Sequence, residues 1–215
     1  MKKVALFGDS IRLGYDKYVE TALADECQVY YVRENNRFTA HFSRFLHEWK
    51  QTAQMPDDVD LVHWNVGLWD LLHLFGEEET LTSIEEYGRN LVIISNRLKK
   101  LFPSAKQIFA TSTSIVESGY GKNFFRRNSE IEDYNKKAIE VLTPLGVEIN
   151  DLYSYTCTLD EECRSDVTHF NTPKGVEAMG NRVVAVICRA LDITANRVNI
   201  ENFEPNAYTA DNVGY

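Results

Sequence analysis

The feature that most constrains this chain is a regular alternation of short apolar runs with helix-length segments of mixed polarity. Runs rich in β-branched or aromatic residues recur at Val4–Phe7, Val29–Val32, Leu61–Val66, Ile108–Thr113 and Val147–Leu152, each bounded by turn residues, and read as strands. Between them, residues 13–23, 41–53, 84–101 and 131–142 have helical polar and apolar faces, and residues 174–191 follow the last strand in the same pattern. Thr82 with Glu85, and Ser129 with Glu132, have capping-box spacing, and Thr172 precedes a first-turn proline, Pro173. Pro103 and Gly146 mark the ends of the third and fourth helices. Strand and helix in alternation specify parallel strands joined by right-handed crossovers, with helices on both faces. The expected fold is therefore α/β: a three-layer αβα sandwich around a five-stranded parallel sheet.

Length and composition narrow this further. The 215 residues fit one domain with a single core, assigned to residues 1–195, and a tail at 196–215 without strand or helix periodicity. The tail is expected to be extended, or docked on its own domain or on a neighbouring subunit through Val198, Ile200, Phe203 and Tyr208, so a homo-oligomer stays open. With 44% hydrophobic and 26% charged residues, the composition is that of a soluble globular protein, and no run approaches the roughly 20 apolar residues of a membrane span. The opening Met1-Lys2-Lys3-Val4-Ala5-Leu6-Phe7 is interrupted by Asp9 and Arg12 too early for a signal-peptide core and reads as the first strand. A net charge of −9 repels phosphate backbones and anionic membranes, so neither nucleic acid nor membrane is expected as a partner. The four cysteines, Cys27, Cys157, Cys163 and Cys188, have neither zinc-knuckle nor Cys-x-x-Cys spacing, and point to reduced thiols in the cytoplasm.

In open parallel sheets, ligands sit outside the carboxyl ends of the strands, near the switch in strand order. Chemistry is therefore sought after Phe7, Val32, Val66 and Thr113, and in the loop before the last helix. At the first address stands Gly8-Asp9-Ser10, where strand gives way to helix. A serine there either caps the helix or acts as a nucleophile whose oxyanion is met by its own N–H at the helix N-terminus. At the last address stands Asp166-Val167-Thr168-His169. A serine nucleophile needs a base, and the base needs an acceptor that fixes its tautomer, a pairing that Asp and His three apart in a loop can supply. Taken singly, the same residues also serve as a turn former and a surface or capping histidine.

Gly8-Asp9-Ser10 at the end of the first strand, together with Asp166-x-x-His169 before the final helix, resembles the GDSL or SGNH hydrolase family, and the resemblance spans most of the chain. It implies a flavodoxin-like sheet, with Ser10 as nucleophile, His169 as base and Asp166 as its orienter. It also implies an oxyanion hole made from the serine N–H, a glycine N–H in a second block and an asparagine side chain in a third. The middle blocks depart from that pattern. The third block, Gly67-Leu68-Trp69-Asp70, has tryptophan at the asparagine position, so the donor is either Asn65, two residues before Gly67, or the Trp69 indole, whose bulk also suits a pocket wall. The second block, from Glu34 to Thr39, has no glycine, and a backbone N–H at Asn35 or, preferably, Asn36 is expected to take its place, because asparagine tolerates left-handed conformations.

Other residues read as structural. His41, His47, His63 and His73 have neither the spacing nor the carboxylate neighbours of a metal site, so no metal is expected. Arg126-Arg127 reads as a surface basic pair. Gly8-Asp9-Ser10-Ile11-Arg12 has neither the dinucleotide fingerprint nor the Walker pattern, and no cofactor is implied. The resemblance implies a serine hydrolase that cleaves a short, acetyl-like O-ester of a small or carbohydrate-type substrate, with Trp64 and Trp69 as candidate stacking surfaces. Two alternatives stand beside it: a thioesterase or lysophospholipase acting on longer chains, and a non-catalytic binder with an altered oxyanion hole.

Overall fold

A computed structural model describes residues 1–203. In chain order the elements are β1 (Lys2–Phe7), α1 (Ser10–Leu23), β2 (Cys27–Tyr31), α2 (Thr39–Thr52), β3 (Leu61–Asn65), β4 (His73–Leu74), α3 (Ile84–Leu101), β5 (Lys106–Ala110), β6 (Phe124–Phe125), α4 (Asn128–Leu142), β7 (Glu148–Asn150), α5 (Leu152–Thr156) and α6 (Pro173–Leu191). Five strands form one parallel sheet in the order β2-β1-β3-β5-β7. The order reverses beside β1, so the ends of β1 and β3 flank the crevice in which such sheets bind ligands. Helix α1 packs on α6, while α3 packs between α2 and α4, which gives the two helical layers of the expected sandwich.

The apolar runs become strands because both of their faces are covered. Val4, Ala5, Leu6 and Phe7 are all fully buried, and Trp64 of β3 is enclosed between Phe42 and Phe109, at ring-centroid separations of 6.0 and 4.8 Å. Trp64 is therefore a core residue, and not the stacking surface for a substrate that its position at a strand end suggests.

The differences from expectation lie at element ends and have local causes. The fifth strand stops at Asn150, because the Asp151 side chain accepts a hydrogen bond from Ser154 N (3.0 Å) and caps α5, which makes Leu152 helical. Ser83 rather than Thr82 caps α3, accepting from Glu86 N at 3.3 Å. Helix α4 begins at Asn128 without a side-chain cap of its own, and Glu117 accepts from Asn128 N at 2.6 Å. At α6 the expected cap is present, with Thr172 Oγ1 accepting from Gly175 N at 3.1 Å ahead of Pro173. An antiparallel ribbon of β4 and β6 has no counterpart in the sequence reading, since two-residue strands carry no periodicity.

Beyond α6 the chain returns across α1. Asn196 N donates to Ala22 O (2.7 Å), Val198 is buried, and Phe203 meets Tyr18 edge-on at 5.6 Å. Tyr208, the fourth expected docking residue, lies outside the described residues with the rest of 204–215. Among the described residues, no helix is long and apolar enough to cross a membrane.

Candidate active site

The end of β1 is fixed by contacts just ahead of Ser10. Gly8 N donates to Asn36 Oδ1, and Asn36 N donates back to Gly8 O at 3.0 Å, so the loop after β2 clamps the backbone two residues before Ser10. A Cβ on Gly8 would lie 2.0 Å from Asn65 Oδ1, which explains the glycine by lack of space. Asp9 then caps α1, its Oδ1 accepting from Ile11 N (3.0 Å) and from Asn65 Nδ2 (2.7 Å). Ser10 is thus the first residue of α1 rather than its cap. Beneath it, buried Arg12 pairs with buried Asp16 (2.7 Å) and donates to the carbonyls of Val32 (2.6 Å), Glu34 (2.6 Å) and Gly8 (3.3 Å). One guanidinium therefore ties together the ends of β1 and β2.

The loop before α6 is shaped by one carboxylate. Asp166 Oδ1 accepts from the backbone N–H groups of Thr168 (2.7 Å) and His169 (2.8 Å), which turns the chain, while Oδ2 lies 2.8 Å from His169 Nδ1. The other ring nitrogen, Nε2, lies 2.8 Å from Ser10 Oγ. One tautomer satisfies both contacts, with Nδ1–H donating to the carboxylate and Nε2 accepting from the serine hydroxyl. Burial draws the Asp166 carboxyl upward, but the hydrogen bond and charge of His169 and the two backbone donors outweigh it and hold the group at about 2. Ser10 and His169 are buried, and Asp166 is partly exposed. The loop is also held from outside, because Val116 N donates to Val167 O (2.9 Å) and Tyr120 Oη lies 2.6 Å from Thr168 Oγ1.

Ser10, 159 residues from His169 in sequence, is therefore brought into one hydrogen-bonded line with His169 and Asp166. The nominated oxyanion donors fare differently. The Asn36 N–H is consumed by the Gly8 carbonyl, and the left-handed residue of the second block is Arg37 (φ 55°), so Asn36 positions β1 instead of offering a backbone donor. Asn65 lies against Gly8, as expected of a residue at the adjoining strand end, with one amide hydrogen on Asp9. Gly67 has φ +152°, and a Cβ there would lie 2.4 Å from Ser112 Oγ, so both conformation and space call for glycine. Trp69 stands partly exposed in the turn that follows.

Four residues with work to do at this edge were not singled out by the sequence. Asp9 and Arg12 stand inside or beside the Gly-Asp-Ser motif but act on chain segments that only the fold brings near. Asp70 is buried and caps α2 through Thr39 N, at 3.1 and 3.0 Å. Arg126 is only 6% exposed, its Nε donating to Leu68 O and Nη1 to Tyr120 Oη (3.1 Å), so it is no surface residue. The aromatic pair Phe124-Phe125 just before it was the available signal. Its neighbour Arg127 does pair at the surface, with Glu78 and Glu130 at 2.9 Å each. The remaining histidines are structural: His73 stacks on Phe125 at 4.4 Å, and His63 is buried beside Asn150, burial pushing its pKa down to about 3. Among the described residues, no cluster of His, Cys, Asp or Glu is arranged to hold a metal ion.

No protein-family model and no curated protein matches the chain in sequence. Solved structures do match in fold. A lipase/acylhydrolase from Enterococcus faecalis is 20% identical, with a TM-score of 0.70, over 92% of this chain and 100% of the other. A GDSL-like lipase from Bacteroides thetaiotaomicron is 15% identical, with a TM-score of 0.61, over 88% of this chain and 89% of the other. An acetyl xylan esterase is 17% identical, with a TM-score of 0.63, over 89% of this chain and 100% of the other. The αβα sheet of the GDSL/SGNH type expected from the sequence is the fold observed.

Proposed function

We propose that the chain is a serine esterase of the GDSL/SGNH family that removes a short acyl group from an oxygen of a small or carbohydrate-type substrate. The observation that carries this reading is the unbroken line from Ser10 Oγ to His169 Nε2 (2.8 Å) and from His169 Nδ1 to Asp166 Oδ2 (2.8 Å). In the proposed reaction, His169 Nε2 takes the hydroxyl proton as Ser10 Oγ attacks the ester carbonyl carbon, and Asp166 stabilises the imidazolium that results. The bond to the leaving alkoxide breaks as His169 returns the proton to it, leaving an acyl-serine. Water, deprotonated by the same imidazole, then attacks that acyl group, and Ser10 recovers its proton as the acid departs.

The developing oxyanion would be met by the Ser10 N–H at the start of α1, aided by Asn65 and Gly67 on the adjoining strand end. Asp9 holds Asn65 by one amide hydrogen, which leaves the other for this task. The short-acyl preference draws on the fold likeness to an acetyl xylan esterase. All four cysteines are unpaired, which fits the proposed cytoplasmic location.

The test is hydrolysis of p-nitrophenyl acetate by wild type and Ser10→Ala, with a fluorophosphonate label located by mass spectrometry. Label on Ser10, and turnover that vanishes in the variant, support the reading, whereas a folded but inert and unlabelled wild type refutes it. Activity that rises from acetate to octanoate would overturn the short-acyl part alone.

A further inference from the structure

Arg126 is a buried cation, only 6% exposed. Among the described residues it makes no ion pair, whereas the other deeply buried guanidinium, Arg12, is matched by Asp16 at 2.7 Å. Burying an unpaired charge is costly, and holding the Leu68 carbonyl and the Tyr120 hydroxyl requires only neutral donors. The group is also rigid, because Nε is fixed on Leu68 O, Nη1 on Tyr120 Oη, and the guanidinium lies over the rings of Tyr120 (5.8 Å) and Phe124 (5.5 Å). Both hydrogens of Nη2 and one of Nη1 remain without a partner among the described residues.

Its anchors place it at the reaction site. Leu68 follows Gly67 in the third block, just past the end of β3, the strand beside β1. Tyr120 Oη reaches Thr168 Oγ1 (2.6 Å), next to His169. Burial raises the Asp9 carboxyl, and the charges of His169 and Arg126 both act against that rise, so Arg126 lies within electrostatic reach of the residue beside Ser10.

We propose that Arg126 is a specificity residue whose free guanidinium edge binds a carboxylate on the ester substrate, so that the preferred substrates of the Ser10 site are acidic esters. The proposal rests on the esterase reading above. A carboxylate matches the two parallel N–H groups of the Nη1–Nη2 edge and supplies the missing negative charge in a molecule that is otherwise strongly acidic.

The test compares 4-acetoxybenzoate with its methyl ester in wild type and Arg126→Met, using the acid-to-ester ratio of kcat/KM so that the intrinsic reactivities cancel. That ratio is expected to fall about tenfold or more in the variant. A ratio unchanged within about twofold, with both esters cleaved in a Ser10-dependent way, overturns the proposal and leaves the esterase reading standing. If wild type cleaves neither ester, the esterase reading fails, and calorimetry with benzoate and benzamide judges the anion site by itself. Benzoate binding that benzamide does not share and Arg126→Met loses supports it; equal or absent binding overturns it. Should Arg126→Met fail to fold by circular dichroism, Arg126→Gln, which keeps a donor for the Leu68 carbonyl, replaces it in both comparisons.

Discussion

A Cβ on Gly8 would stand 2.0 Å from Asn65 Oδ1 and 2.7 Å from Arg12 Cβ, in a place where Asn36 already grips the backbone from both sides. Gly8→Ala must therefore push Asn65 off Asp9 or bend the strand end that carries Ser10. We expect it to lower stability by about 1–3 kcal/mol and turnover by about 100-fold or more, read by urea denaturation and p-nitrophenyl acetate hydrolysis. Near-normal turnover would mean that this close approach is irrelevant to the chemistry. At the other end of the line, Asp166→Asn keeps the size of the side chain but loses the charge and allows the wrong imidazole tautomer. A fall of about 10⁴ in kcat is expected from a variant that remains folded by circular dichroism, and a loss of less than tenfold would sink the orienting role. Because the native Asp166 group titrates at about 2, below its ordinary 3.8, the stability it contributes is present above that ordinary value and is lost only as the pH falls toward 2. The three members of the line were legible in the sequence because each sits in a local motif, Gly-Asp-Ser or Asp-x-x-His. Asn36 with Gly8, Asn65 with Asp9, and Arg126 with Leu68 were not, since these contacts join segments far apart in the chain and no local spacing encodes them.

Helix α2 shows the same dependence on distant chain at the scale of an element. Its N-cap position is Phe38, which has no side-chain acceptor, and Asp70 takes over by accepting from Thr39 N and from the Thr39 hydroxyl (2.5 Å). Burial pushes the Asp70 carboxyl up to about 7 although the hydrogen bonds from Thr39 and Thr82 oppose the rise. With the folded value above the unfolded one, the fold favours the protonated acid. Its contribution is then fully present below the unfolded pKa of about 4 and declines as the pH rises toward 7. Asp70→Asn removes that titration. Unfolding free energies from urea denaturation at pH 4 to 7 should therefore shift in favour of the variant as the pH rises, by an amount on the order of a few kcal/mol across the range. Parallel curves for the two proteins would show that Asp70 titrates normally in the fold. The interiors of the helices and sheet strands were readable from periodicity, with α3 matching at both ends, because burial on one or two faces repeats along the element. The starts of α2 and α4 were less so, since their caps come from Asp70 and Glu117 rather than from the adjacent sequence.

At the scale of the whole molecule, the segment after α6 closes over the helix whose first residue is Ser10. Its anchors are the Asn196 N–H on Ala22 O, buried Val198, and Phe203 against Tyr18, with Lys17 Nζ 5.9 Å from the Phe203 ring centroid. Val198 and Phe203 were legible in the sequence as residues available for docking, but the choice between a docked and an extended tail was not, because a few spaced apolar residues suffice to dock an extended chain without any repeat. Full burial of a valine is worth about 1.5–3 kcal/mol, and the aromatic contact adds to it. Tyr18 lies eight residues along α1 from Ser10, or roughly 12 Å at the rise of an α-helix, so this contact supports the frame without touching the reacting groups. A chain ending at Ala195 should accordingly unfold in urea with about 2 kcal/mol or more less stability than a chain ending at Phe203, while kcat on p-nitrophenyl acetate at 25 °C stays within about twofold. Equal stability of the two chains would show that the docked segment contributes nothing to the fold. A selective loss of turnover at equal stability would instead place residues 196–203 in the control of Ser10.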